Sequence, residues 1–124
     1  PAAVSSIATG DEKPYSASQL ASLRAQGRPV FVNMTAAWCV TCLVNERIAL
    51  SSDAVRQAFA DHHVAYLKGD WTRADPAISD FLREHGRDGV PLYVLFPAKG
   101  GNGVVLPQIL TASSVLEALN NLGT

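Results

Sequence analysis

The sequence predicts an α/β domain in which helices surround one mixed, four-stranded sheet. Three observations predict it. Apolar, β-branched runs alternate with helical patterns along the chain. A Cys-x-x-Cys pair stands between the first buried strand pattern and a helix. The last two strand patterns are joined by Lys99-Gly100-Gly101-Asn102-Gly103, a turn that makes them an antiparallel hairpin. The predicted order is α-β-α-β-α-β-β-α, without internal repeats.

Each element has a local cause. Ser16 or Ser18 caps a helix through Leu20, Leu23 and Ala25 that Gly27 ends. Val30-Phe31-Val32-Asn33-Met34 is nearly continuous apolar sequence, the signature of a central strand buried on both faces. Thr35-Ala36-Ala37 makes a short connection, and from Cys39 the pattern turns helical, with Leu43, Ile48 and Leu50 spaced among polar residues. Ser52 or Asp53 caps a further stretch, Ala54 to Asp61, at whose end His62 and His63 place cations favourably. Val64-Ala65-Tyr66-Leu67 reads as a second strand. Asp75-Pro76 opens a helix whose apolar face is Ile78, Phe81 and Leu82, with Gly86 near its end. Val90 to Phe96 and Val104-Val105-Leu106 form the hairpin strands. Thr111 or Ser113 caps the last helix, through Val115, Leu116 and Leu119 to Leu122.

Composition narrows the function. The 124 residues suit one domain, and 48% hydrophobic content with 17% charged residues is an ordinary globular mix. Ten basic against eleven acidic residues give a net charge of −1 without a basic cluster, which argues against nucleic-acid binding. The longest apolar stretch, Val90 to Ala98, is nine residues with two prolines inside it, far short of the ~18 needed to span a bilayer. Residues 1–14 are small and polar, with two prolines and no periodicity, and read as a linker or tether to a domain at 15–122. The only methionine is Met34, which fits a domain taken from a longer chain.

The two cysteines, Cys39 and Cys42, carry the chemistry. A structural disulfide gains little from so short a loop. A zinc site lacks further ligands, since no second cysteine pair exists and His62, His63 and His85 lack zinc-finger spacing. A Cu(I) module using both thiolates and a histidine stays open. The redox reading suits the spacing best: on the first turn of a helix two such sulfurs can bond to each other, and the helix N-terminus stabilises the leading thiolate.

Trp38-Cys39-Val40-Thr41-Cys42 after a central strand, with Val90-Pro91 before a hairpin, resembles the thioredoxin fold over about Tyr15 to Leu122. The finer match, in Phe31 to Cys42, Asn45-Glu46, Asp70-Trp71-Thr72 and Gly89 to Leu92, is similar to the C-terminal domain of the DsbD/ScsB family of transmembrane thiol:disulfide interchange proteins. That resemblance implies a periplasmic protein-disulfide reductase tethered to the bacterial inner membrane. It would take electrons from a membrane-embedded domain of the same or a neighbouring chain and reduce periplasmic disulfide-containing proteins, with no metal or organic cofactor beyond its own disulfide. Cys39 is then the nucleophile, Cys42 the resolving thiol, and Trp38, Val90 and Pro91 the substrate-binding rim. It further implies a cis Val90–Pro91 peptide; read alone, Pro91 is a strand-initiating proline.

One departure stands out. Thioredoxin-like proteins commonly bury an aspartate six residues before the first cysteine, and here Asn33 holds that position and cannot titrate. Glu46 is the candidate substitute, since Cys39, Cys42 and Glu46 share one helical stripe. It either accepts the Cys42 proton or sits at the edge of that face, solvated or paired with an arginine. Trp71 reads as core, and Tyr93 as a strand tyrosine close to the site. Val40-Thr41 puts no positive charge between the cysteines, which favours a reductant over an oxidant or isomerase of the same fold. A redox-inert interaction domain is the remaining alternative.

Overall fold

A computed structural model describes residues 12–122. The elements run β1 (Glu12–Pro14), α1 (Ala17–Ala25), β2 (Val30–Thr35), α2 (Val40–Asn45), a π-helical segment (Glu46–Leu50), α3 (Asp53–Asp61), β3 (Ala65–Asp70), α4 (Pro76–Glu84), β4 (Leu92–Phe96), β5 (Val104–Val105) and α5 (Ala112–Leu122). The sheet order is β1-β3-β2-β4-β5. β1 and β2 flank β3 in parallel, while β4 runs antiparallel to both β2 and β5.

The sheet has five strands, where the sequence led us to expect four. The fifth, Glu12–Pro14, comes from the stretch read as tether and pairs with Tyr66–Lys68. Its three residues are all exposed, so an edge strand of two charges and a proline carries no apolar alternation to detect. The rest of that stretch, residues 1–11, lies outside the described residues.

The caps act as their chemistry dictates. The side chains of Ser16, Ser52 and Asp75 accept from backbone N–H groups in the first turns of α1, α3 and α4. Thr111 and Ser114 exchange bonds at the start of α5. Gly27, past the end of α1, takes φ +77°, which a side chain would resist.

β2 is buried along its whole length because helices cover both faces. On one face Phe31, Tyr66, Tyr93 and Leu95 meet the π-helical segment, α3 and α5 through Ala49, Leu50, Val55, Phe59, Val115 and Leu119. The Phe31 ring lies 5.2 Å from Phe59 and 5.4 Å from Tyr66 between centroids. On the other face Val30, Val32, Met34, Leu67, Leu92 and Val94 pack under α1 and α4 through Leu23, Ile78, Phe81 and Leu82. Each of these large side chains gains about 1.5–3 kcal/mol from burial before entropy is subtracted.

The helix after the cysteines also departs from expectation. Leu43 and Ile48, read as its apolar face, point outward with Val40 and Val44. The core-facing residues are Cys42, Asn45, Ala49 and Leu50. The widened turn at Glu46–Leu50, closed by Ser51 N–H donating to the Glu46 carbonyl at 2.9 Å, rotates the later residues relative to a regular helix and turns Ala49 and Leu50 inward.

Candidate active site

The site forms where β2 leaves the sheet. Ala36 accepts from the Cys39 N–H at 3.1 Å, and this turn makes Cys39 the N-cap of α2. Its Sγ accepts from the Cys42 N–H at 3.1 Å, the bond that stabilises negative charge on this sulfur once it is a thiolate. Cys39 and Cys42 form a disulfide, with Cα atoms 5.3 Å apart. Cys39 is 7% exposed and Cys42 fully buried, so an incoming group reaches the pair from the Cys39 side. Val90 and Ala36 pack against the two cysteines, and the Val90–Pro91 peptide is cis.

The approach to the disulfide is braced from the end of β3. The Thr72 hydroxyl accepts from the Ala37 N–H at 2.8 Å and donates to the Asp70 carboxylate, which also accepts from the Thr72 N–H. These bonds hold the Asp70 carboxyl below its ordinary range. The Trp38 indole donates to the Thr72 carbonyl at 3.1 Å and is 58% exposed beside the cysteines. Trp71 is partly buried, packs on the core and donates to Ser79 Oγ at 2.9 Å.

Beneath α2 lies a polar layer. Asn33 is completely buried, and its Nδ2 donates to the Tyr66 hydroxyl at 2.9 Å. Asn45 donates to the Tyr93 hydroxyl and the Gln108 carbonyl, both at 2.8 Å, and accepts from the Leu110 N–H at 3.0 Å. That asparagine ties the cysteine helix to the loop entering α5. Sequence reasoning noticed Asn45 only as part of a motif; an asparagine amid helix formers is a costly choice unless buried partners satisfy it. Burial pushes the Tyr93 phenol up to about 12, with the Asn45 bond opposing and the Glu46 charge adding. Burial likewise pushes Tyr66 well above its ordinary value. Glu46 is partly buried, and its partner is a lysine rather than an arginine: Oε1 lies 3.5 Å from Lys68 Nζ.

Among the described residues, no group of three or more His, Cys, Asp or Glu side chains could hold a metal ion. The cysteines therefore do not share a ligand set with His62, His63 or His85.

Residues 12–98 match a protein family described as thioredoxin-like. Over 106 residues the chain is 30% identical to the thiol:disulfide interchange protein DsbD of Yersinia enterocolitica serotype O:8, covering 84% of this chain and 18% of that protein. It is 35% identical over 81 residues to DsbD of Ralstonia nicotianae, covering 65% of this chain and 13% of that protein. The chain thus spans less than a fifth of these relatives' length. The C-terminal domain of Neisseria meningitidis DsbD in its oxidised form shares the fold, with a TM-score of 0.70 at 21% identity, covering 88% of this chain and 97% of that domain. With Cys39 capping the helix after a central strand and Cys42 bonded to it one turn on, the chain belongs to the thioredoxin-like family.

Proposed function

We propose that this domain is a protein-disulfide reductase that works by dithiol–disulfide exchange through Cys39 and Cys42. The observation that carries the reading is the asymmetry of the pair: Cys39 Sγ meets a backbone N–H at the helix start and borders the surface, while Cys42 is sealed beneath it. The similarity to DsbD proteins, named for thiol:disulfide interchange, supports the same chemistry.

In the reduced domain the Cys39 thiolate attacks one sulfur of a substrate disulfide. The substrate S–S bond breaks, a mixed disulfide forms, and the first substrate sulfur leaves and takes up a proton. Cys42 loses its proton to Glu46, and its thiolate attacks Cys39 Sγ. This forms the Cys39–Cys42 bond and releases the second substrate sulfur, which is protonated in turn. Two electrons pass to the substrate, and the domain is left oxidised. Trp38 and the Val90-Pro91 backbone form the rim on which the substrate strand docks. Asn33 contributes buried hydrogen bonding and no proton.

Re-reduction comes from a membrane-embedded electron-donor domain of the same or a neighbouring chain, and the clients are periplasmic proteins with disulfides. The residues ahead of the sheet serve as the tether to the inner membrane. No helix among the described residues is long and apolar enough to cross a membrane. No cofactor beyond the cysteine pair enters the cycle.

The test mixes the reduced domain with an oxidised disulfide protein such as insulin and counts electrons transferred. The reading expects one substrate disulfide reduced per domain, and none by Cys39→Ser. Reduced wild-type protein that leaves the substrate oxidised overturns it.

A further inference from the structure

The strip of chain that packs against the disulfide is almost without hydrogen bonds of its own. Among the described residues, no backbone N–H or C=O of Asp88, Gly89 or Val90 is hydrogen-bonded within the domain. Arg87 ties this strip at both ends. Its N–H bonds the Leu82 carbonyl at 2.9 Å in the cap that ends α4, where Gly86 takes φ +72° and its N–H donates to the Arg83 carbonyl at 3.0 Å. The Arg87 guanidinium Nη1 then donates to the Pro91 carbonyl at 3.3 Å, four residues on. No carboxylate among the described residues pairs with Arg87, so the carbonyl holds the guanidinium without competition. Between these ends Gly89 passes over Trp71, whose ring would lie 3.9 Å from an added Cβ, and Val90 packs against Ala36, Cys39 and Cys42. Ile78, Phe81 and Leu82 fix α4 to the core, which gives the strip a rigid anchor.

We propose that Arg87 is a positioning residue for the docking of protein substrates: by bonding the Pro91 carbonyl it holds the Gly89–Pro91 strip beside Cys39, so that the unpaired N–H and C=O of Val90 meet the backbone of an incoming chain. The proposal rests on the reductase reading above. Arg87 exchanges no bond, electron or proton with the reacting sulfurs. An untied strip would have to be ordered each time a substrate strand binds; the tie orders it during folding instead, which strengthens binding without adding a contact to the substrate. Backbone pairing is indifferent to side chains, so the gain extends to any client with an extended segment beside its disulfide. A small disulfide that has no peptide backbone gains nothing from the strip. The guanidinium stays charged throughout the range in which thiols titrate, so the tie holds at every pH at which exchange runs.

The experiment is single-turnover oxidation of the reduced protein by insulin and, separately, by hydroxyethyl disulfide, which has no peptide group. Arg87→Met keeps an unbranched side chain and removes the donor. It is expected to lower the second-order rate constant with insulin about tenfold and to leave that with hydroxyethyl disulfide in place. Arg87→Lys restores most of the insulin rate. Amide order parameters from NMR relaxation should fall at Gly89 and Val90 in Arg87→Met and hold at Cys39 and Cys42. An Arg87→Met rate with insulin that equals wild type overturns the proposal. So does an equal loss with both oxidants, which would mean that Arg87 acts on the sulfurs or on the fold as a whole. Order parameters at Gly89 and Val90 that match wild type overturn it as well. Wild-type protein that leaves insulin oxidised overturns the reductase reading itself, and this proposal with it.

Discussion

The indole N–H of Trp38 donates to the backbone carbonyl of Thr72 at 3.1 Å, while the Thr72 hydroxyl accepts from the Ala37 N–H next door. One residue at the end of β3 thus fixes both residues leading into Cys39. Thr72→Val keeps the carbonyl and removes the hydroxyl, leaving the Ala37 N–H without its partner at a cost of about 1 kcal/mol. In a Trp71→Phe background, Trp38 fluorescence should become more accessible to iodide. Unchanged quenching would show that the loop holds itself.

The same brace is acid-sensitive. The Thr72 bonds hold the Asp70 carboxyl below its ordinary range, so the carboxylate's contribution is present above the unfolded value near 3.8 and is lost as pH falls through the lower folded value. Trp38 emission in that background should stay constant through pH 4 and change only below the ordinary carboxylate range. A transition centred at or above 4 would contradict the assignment.

Asn45→Ala removes three bonds at once and leaves the buried Leu110 N–H unpaired. A loss of about 3 kcal/mol is expected in chemical denaturation, far above a surface substitution. A loss under about 1 kcal/mol would mean that the loop before α5 is held by other contacts.

Alkaline pH should weaken the fold through its buried tyrosines. Raised phenol values mean that the folded state keeps protons the unfolded chain releases, so stability is intact below about 10 and falls as pH rises toward the folded value of Tyr93, about 12. Each such tyrosine costs about 1.4 kcal/mol per pH unit in that window. Denaturation midpoints between pH 9 and 11.5 should fall, and Tyr93→Phe should flatten the decline. A flat profile in the wild type would refute the linkage.

Cys42→Ser blocks resolution and should accumulate a mixed disulfide through Cys39, visible by intact mass after mixing with an oxidised protein. Cys39→Ser should give no adduct at all. Adducts of equal yield in both variants would contradict the assigned order of attack.

Much of this was legible in the chain. The cysteine pair after Val30–Met34, the caps at Ser16, Ser52 and Asp75, and the turn at Lys99–Gly103 are signals that act within a few residues, and local rules read them. What escaped depends on tertiary partners. β1 has only the β3 backbone to define it, and the inward turn of Ala49 and Leu50 depends on a widened turn with no residue signature. Glu46 was singled out from helical spacing, but its partner Lys68 lies on a strand that spacing within the helix cannot reach. Asn45 looked like one polar residue in a helix, and only the loop at Gln108–Leu110 explains it.

The direction of electron flow is the central claim, and the Cys39–Cys42 reduction potential tests it most directly. Equilibration against glutathione or dithiothreitol at pH 7 resolves it, because about 30 mV in a two-electron couple corresponds to about 1.4 kcal/mol. A reductant fed from the membrane should fall at or below roughly −200 mV, on the thioredoxin and glutaredoxin side of the scale. A value near about −120 mV would make this domain an oxidant and contradict the account.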